Sequence, residues 1–278
     1  MSVIVFTVIL LFGSYFAGLL GSLTGLGGGF VIIPLLTLLL HVDIHYAIGA
    51  SLVSVIATSS GSAAAYVKEG ITNIRLGMFL EIATTAGAFT GAIIAIYIPA
   101  HFIAILFGLI LILSAIMSLS KKAEHTAAQK TFLSKKLKLS GTYPLNGEMV
   151  EYGVSNIVGG FFMMIFAGLI SGLLGIGSGA LKVVAMDGIM RIPFKVSTTT
   201  SNFMIGVTAA ASAVIYLQRG YIHPALAMPV VIGVLFGAMS GSKILVNTKS
   251  SAWLRWVFAI VVTFLAVQMI YHGFTGKI

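Results

Sequence analysis

Cysteine is absent from the 278-residue chain, and charge is scarce: Asp, Glu, Lys and Arg together make up 8% of it. Without cysteine there are no disulfides, no thiolate metal sites and no thiol nucleophile. A soluble domain carries about 25% charged residues, so the shortage of charge excludes an ordinary water-soluble fold. Acidic residues number seven and histidines six, and they do not cluster, which argues against both a cation carrier and a metal-dependent or acid–base enzyme.

The chain is instead 58% hydrophobic, with a mean hydropathy of +1.08. Its apolar blocks are continuous rather than alternating, which predicts an all-α polytopic membrane protein and not a β-barrel. The first stretch, MSVIVFTVILLFGSYFAGLLG, lacks a basic leader and reads as a retained span in the lipid bilayer. The apolar segments are 3–23, 29–40, 45–67, 75–98, 102–119, 153–173, 180–190, 196–217, 224–246 and 252–271. Most are long enough to cross about 30 Å of hydrocarbon. Segments 29–40 and 180–190 are not, reaching roughly 16–18 Å at 1.5 Å per residue.

The net charge of +9 does not signal nucleic acid, because six lysines sit in the polar stretch 120–152. That stretch is expected to be a basic cytoplasmic linker, with a short surface amphipathic helix as the alternative. It divides the chain into a first repeat, 1–119, and a second, 153–278. The two copies match at a constant offset of 150: Gly18 with Gly168, Gly25 with Gly175, Gly27 with Gly177, Gly29 with Gly179, Ser51 with Ser201, Gly87 with Gly237 and Gly91 with Gly241. An odd number of segments, about five per repeat, predicts inverted copies. With the linker inside, Lys68, Arg75, Arg191, Lys195, Lys243, Lys249 and Arg255 also fall inside, and only Arg219 and Lys277 outside.

Each repeat carries a glycine-rich break, TGLGGG from Thr24 to Gly29 and GIGSG from Gly175 to Gly179, directly before its short segment. A break in hydrocarbon strands backbone N–H and C=O groups, and survives only inside protein or beside a polar cavity. Paired breaks at matching positions point to the binding site of a secondary transporter. The helices that start there aim free N–H groups and a positive dipole end at the kink, and glycine lets an anion approach the backbone. A nucleotide loop is excluded by the lack of a preceding strand and an acidic ribose partner. Gly13, Gly18, Gly87, Gly91, Gly237 and Gly241 read instead as contact points between closely packed helices.

The candidate anion-binding residues are therefore Thr24, Gly27, Gly28, Gly29, Gly177, Ser178 and Gly179. The duplicated hydroxyl cluster adds Ser51, Thr200, Ser201 and Asn202. Lys182, just beyond the second break, is an intramembrane cation that a bound anion would offset, with snorkelling or pairing to Asp187 as the alternative. Glu81 and Asp187 are candidates to carry a coupling proton or sodium ion, and buried structural carboxylates are the other reading. His41, Asp43 and His45 are expected to be exposed polar residues of an outer loop. No catalytic residue, metal site or cofactor is expected.

The paired GLLGSLTGLGGGFVIIPLL and GLISGLLGIGSGALKV, each followed by a hydroxyl-bearing helix, resemble the TauE/SafE family of sulfite exporters. The resemblance covers nearly all the chain except 120–152. It implies an inner-membrane carrier of sulfur-containing anions such as sulfite, thiosulfate or sulfonates, often in export, driven by ion gradients rather than ATP. An anion channel, or a carrier of another small anion such as a carboxylate, is the alternative, and assembly into a homo-oligomer is left open. The chain departs from the family pattern at Ser178, where a third glycine is usual, and at Val184, which replaces the proline that Pro34 supplies in the first repeat.

Overall fold

The computed structural model describes residues 2–24, 27–68, 70–119, 134, 136–145, 148–247 and 252–276. Each repeat contributes five helical segments in the same order. The first holds α1 (Val3–Thr24), α2 (Gly29–Pro34), α3 (Ile44–Lys68), α4 (Ile74–Ala95) and α5 (Ala100–Leu119). The second holds α6 (Ile157–Leu174), α7 (Gly179–Val184), α8 (Phe194–Gln218), α9 (Pro224–Asn247) and α10 (Ala252–Phe274). Among the described residues, seven helices are long and apolar enough to span a membrane. Large apolar side chains such as Phe12, Phe162 and Phe236, each about 60% exposed, face outward along them. Such a surface is stable against lipid and not against water. The chain is an all-α polytopic membrane protein.

The repeats exchange partners. Helix α1 packs chiefly on α9, and its counterpart α6 packs on α4; α5 packs on α10, and α3 on α8. Glycines set the closest approaches, and the offset of 150 reproduces them. A Cβ on Gly87 would overlap the carbonyl oxygen of Ile165, and one on Gly237 that of Tyr15. Likewise a Cβ on Gly168 would strike the Thr84 carbonyl, and one on Gly18 that of Val234. Backbone-to-backbone contact of this kind is how helices associate where lipid removes the hydrophobic drive.

Both short helices continue into a π-helical turn, Leu35–Leu39 and Ala185–Ile189, so each segment runs to the extent read from the sequence. Their hydrogen bonds correspond: Val42 N to Leu36 O and Ile192 N to Met186 O are both 2.9 Å. The turn is not forced by a proline ring, because Val184 stands where the first copy has Pro34. His41 and Arg191, with φ of 52° and 54°, end the two turns alike.

The linker is more structured than the sequence reading allowed. Residues 141–145 and 148–152 pair as an antiparallel hairpin, β1 (Gly141–Leu145) and β2 (Glu148–Tyr152), with Gly141 opposite Tyr152. The surface amphipathic helix, the alternative to a plain linker, is not what this part forms; 120–133 lies outside the described residues. Tyr143 and Tyr152 bury against Leu76, Leu80, Met186 and Met204, so the hairpin caps one end of the bundle. Asn73 fastens it. Its Nδ2 donates to Leu139 O and to Tyr152 Oη, both at 2.8 Å, while its Oδ1 accepts from Leu76 N and caps α4. Burial pushes the Tyr152 phenol up to about 12, with the Asn73 hydrogen bond pulling the other way.

Candidate functional site

The two breaks meet. Gly27 and Gly177 take up left-handed conformations, φ 78° and 72°, and both lie against Val55 and Ile205. Those two side chains are themselves 150 positions apart, on α3 and α8 where the repeats cross. A Cβ on Gly29 would come within 3.1 Å of the Gly175 carbonyl oxygen, so the second break's backbone touches the start of α2. Helices α2 and α7 thus begin at one place in the interior, each with its first amides there.

The hydroxyl cluster serves these breaks. Ser51 Oγ donates to Gly175 O at 2.7 Å, and Ser201 Oγ to Gly179 O at 3.1 Å; both serines are fully buried. Thr200 Oγ1 accepts from Asn73 N at 3.1 Å, tying α8 to the hairpin's anchor. Ser178 is strained in the left-handed region, φ 46°, and its Oγ is buried with no hydrogen-bond partner among the described residues. Beside it, Gly179, Phe30 and Ser114 border a cavity of about 20 Å³. That is room for about one water. The Thr24 side chain lies outside the described residues.

Asn202 is buried, and its carbonyl accepts from Ser59 Oγ at 2.6 Å. The same Ser59 oxygen accepts from Gly206 N at 3.0 Å. In a regular helix Gly206 N would donate to Asn202 O. Ser59 therefore stands inside the ladder of α8, an insertion of the sort that bends helices.

Lys182 is fully buried, and its partner is Glu81 rather than Asp187. Lys182 Nζ donates to Thr208 Oγ1, which donates onward to Glu81 Oε1 at 2.6 Å. Thr85 Oγ1 adds a bond to the same oxygen at 3.2 Å. Glu81 Oε2 lies 4.0 Å from Nζ and has no hydrogen-bond partner among the described residues. Thr208 is i+3 from Ile205, so this relay stands one helical turn from the breaks. The match between the repeats is broken here: Ile32, Thr58 and Val231 occupy the positions corresponding to Lys182, Thr208 and Glu81. Thr208 escaped the sequence reading, although its match to Thr58 at the repeat offset was visible there.

Asp187 is half-buried in the π turn of the second repeat. His45 Nδ1 meets Asp43 Oδ1 at 3.1 Å and its ring stacks on Tyr221, so this loop closes on the partner repeat. Among the described residues, no group of three or more acidic or histidine side chains converges as a metal site.

Broken helix pairs buried between duplicated halves of a polytopic bundle define the class of membrane transporters. The family described as "Sulfite exporter TauE/SafE" matches residues 10–269, and the chain belongs to it. It is 31% identical to the probable membrane transporter protein YunE of Bacillus subtilis, across 96% of this chain and 98% of that protein. It is 27% identical to the probable membrane transporter protein YdhB of the same organism, over 82% and 86% of the two chains. A probable membrane transporter protein of Methanocaldococcus jannaschii, MJ0441, is 24% identical over 87% of each. No solved structure matches. The chain is a multi-pass protein of the cell membrane.

Proposed function

We propose that the chain is a secondary carrier of small sulfur-containing anions such as sulfite, thiosulfate or organosulfonates, working as an exporter when the outward substrate gradient prevails. The observation that carries this reading is the meeting of α2 and α7 at one buried point. Two sets of first-turn amides and two positive dipole ends converge there without a compensating acidic residue in either break. The amides of Gly27 to Gly29 and Gly177 to Gly179 would hold the oxyanion, with Ser178 Oγ as a side-chain donor. Ser51 and Ser201 keep the breaks in shape.

The space beside Ser178 holds about one water and not an oxyanion, so binding requires the repeats to part. Two inverted repeats rocking about Val55 and Ile205 would open the breaks to one side and then the other. None of these residues forms a nucleophile–base pair, and no enzymatic step is assigned.

The test is thermal unfolding of the purified protein with sulfite, thiosulfate, sulfoacetate, sulfate or acetate. A ligand at a hundred times its dissociation constant adds about 2.7 kcal/mol of stability. Stabilisation by sulfur oxyanions and saturable uptake into proteoliposomes support the reading. A response to acetate alone overturns the substrate class, and a continuous single-channel current overturns the carrier.

A further inference from the structure

We propose that Glu81 is the coupling group of this carrier and that it binds a proton, with Lys182 and Thr208 linking that proton to the anion one for one. The inference rests on the anion-carrier reading above and assigns its regulation by ion gradient.

The charges are arranged for this. With Glu81 ionised, the relay is neutral: the Lys182 ammonium gives one hydrogen to Thr208, and the Thr208 hydroxyl gives its own to Glu81 Oε1. Oε1 also accepts from Thr85, whereas Oε2 is buried without a hydrogen bond among the described residues. Oε2 is therefore the oxygen open to a proton from water, which it takes at the expense of the pairing with Lys182. Protonation at Oε2 leaves Lys182 as an uncompensated cation, one turn from the glycine breaks. An anion arriving at the breaks restores neutrality. By linkage, a bound anion then holds the proton on Glu81 as strongly as the proton holds the anion.

For a monovalent anion both loaded and empty forms are therefore neutral, which is the cheap way to move a site through a low-dielectric interior. Among the described residues the surroundings supply no competing charge: the hairpin packed on Leu76 and Leu80 adds the neutral Tyr143 and Tyr152 and the exposed Glu151. Helix α6, packed on α4, carries no titratable residue. On α8 there are Lys195 in the exposed first turn and Tyr216 near the far end. Arg75 is on the exposed first turn of α4 itself, and the segment after the second break adds only Asp187, at the far end of its helix. Sodium is disfavoured because the Lys182 ammonium already faces Glu81 Oε2 at 4.0 Å and would repel a second cation there.

Proteoliposomes with a trapped pH-sensitive dye test this, using methanesulfonate and thiosulfate, anions of strong acids that carry no proton themselves. Methanesulfonate is expected to move with one proton per anion, and an imposed difference of one pH unit to accumulate it about tenfold on the alkaline side. Glu81→Gln is expected to move the anion without protons and with a flat pH profile, and Glu81→Asp to restore a pH-dependent profile. Anion movement by the wild type without proton movement overturns the coupling role, as does a sodium requirement or a wild-type pH profile in Glu81→Gln. The stoichiometry is read on the wild type, so a Glu81→Gln protein that fails to fold leaves the test intact. If neither anion moves and none binds, the carrier reading itself falls, an outcome distinct from uncoupled transport.

Discussion

Lys182 and Glu81 come from different repeats and stand 4.0 Å apart in the interior, joined by Thr208. The matching positions of the other half hold Ile32, Thr58 and Val231, so one half shows what an uncharged version of the same packing looks like. Removing one partner strands a buried charge and costs about 3–5 kcal/mol, whereas replacing both with apolar residues is often neutral. Lys182→Ile alone is expected to lower the unfolding temperature sharply. Lys182→Ile with Glu81→Val is expected to recover most of that loss while abolishing anion-coupled proton movement. A double-mutant cycle on thermal unfolding checks it, and additive losses would refute the pairing.

The glycine contacts between exchanged helices give a second expectation. Gly87→Ala and Gly237→Ala each push a methyl group into a facing carbonyl, of Ile165 and Tyr15 respectively. Overpacking of this kind costs about 1–3 kcal/mol. The two losses should be alike, because the contacts are related by the repeat. Gly61→Ala, where a Cβ would meet nothing within 4 Å, should instead gain up to about 1 kcal/mol from helix propensity. Unfolding temperatures of the three variants decide it.

At the breaks, backbone and ligand needs separate. Gly177→Ala is excluded by φ 72° and by Ile205 Cγ2 at 2.6 Å, so the variant should be strongly destabilised. Gly28 has φ −72° and only ordinary contacts, the nearest at 3.4 Å from Ala17, so Gly28→Ala should fold normally. If an anion approaches this backbone, the same substitution weakens its binding. Ser178→Gly relieves a left-handed serine and should add about 1 kcal/mol. Normal binding by a well-folded Gly28→Ala protein would remove the first repeat from the anion site.

Much of this was legible in the sequence. The breaks, the short segments after them and the offset of 150 rest on composition and spacing, and the structure keeps all three. Lys182 and Glu81 were each visible as charges in apolar surroundings, but their partnership was not. They are far apart in sequence, and only the exchange of helices between repeats brings α4 beside α8. Asp187 is the alternative partner that nearness in sequence offers Lys182, although a spacing of i,i+5 is awkward on one helix face. The hairpin was missed for another reason: two five-residue strands in a lysine-rich stretch carry little hydrophobic periodicity, and Tyr143 and Tyr152 gain meaning only once α4 and α8 are there to bury them.

That hairpin supplies the last expectation. Asn73 both caps α4 through Oδ1 and latches the hairpin through Nδ2. Asn73→Asp keeps the cap and loses the latch, whereas Asn73→Ala loses both and costs a further ~1 kcal/mol. Both should speed proteolysis or amide exchange within 141–152, and only Asn73→Ala should also loosen the first turn of α4. The alkaline limit of the latch follows from Tyr152. Its phenol is raised by burial to about 12 from the usual 10.0, so the folded state favours the neutral form. The stabilisation is fully present below 10.0 and is lost as pH rises through about 12. Tyrosinate absorbance should therefore appear for Tyr152 later than for exposed tyrosines, and a Tyr152 that ionises together with them would show that the hairpin does not bury it.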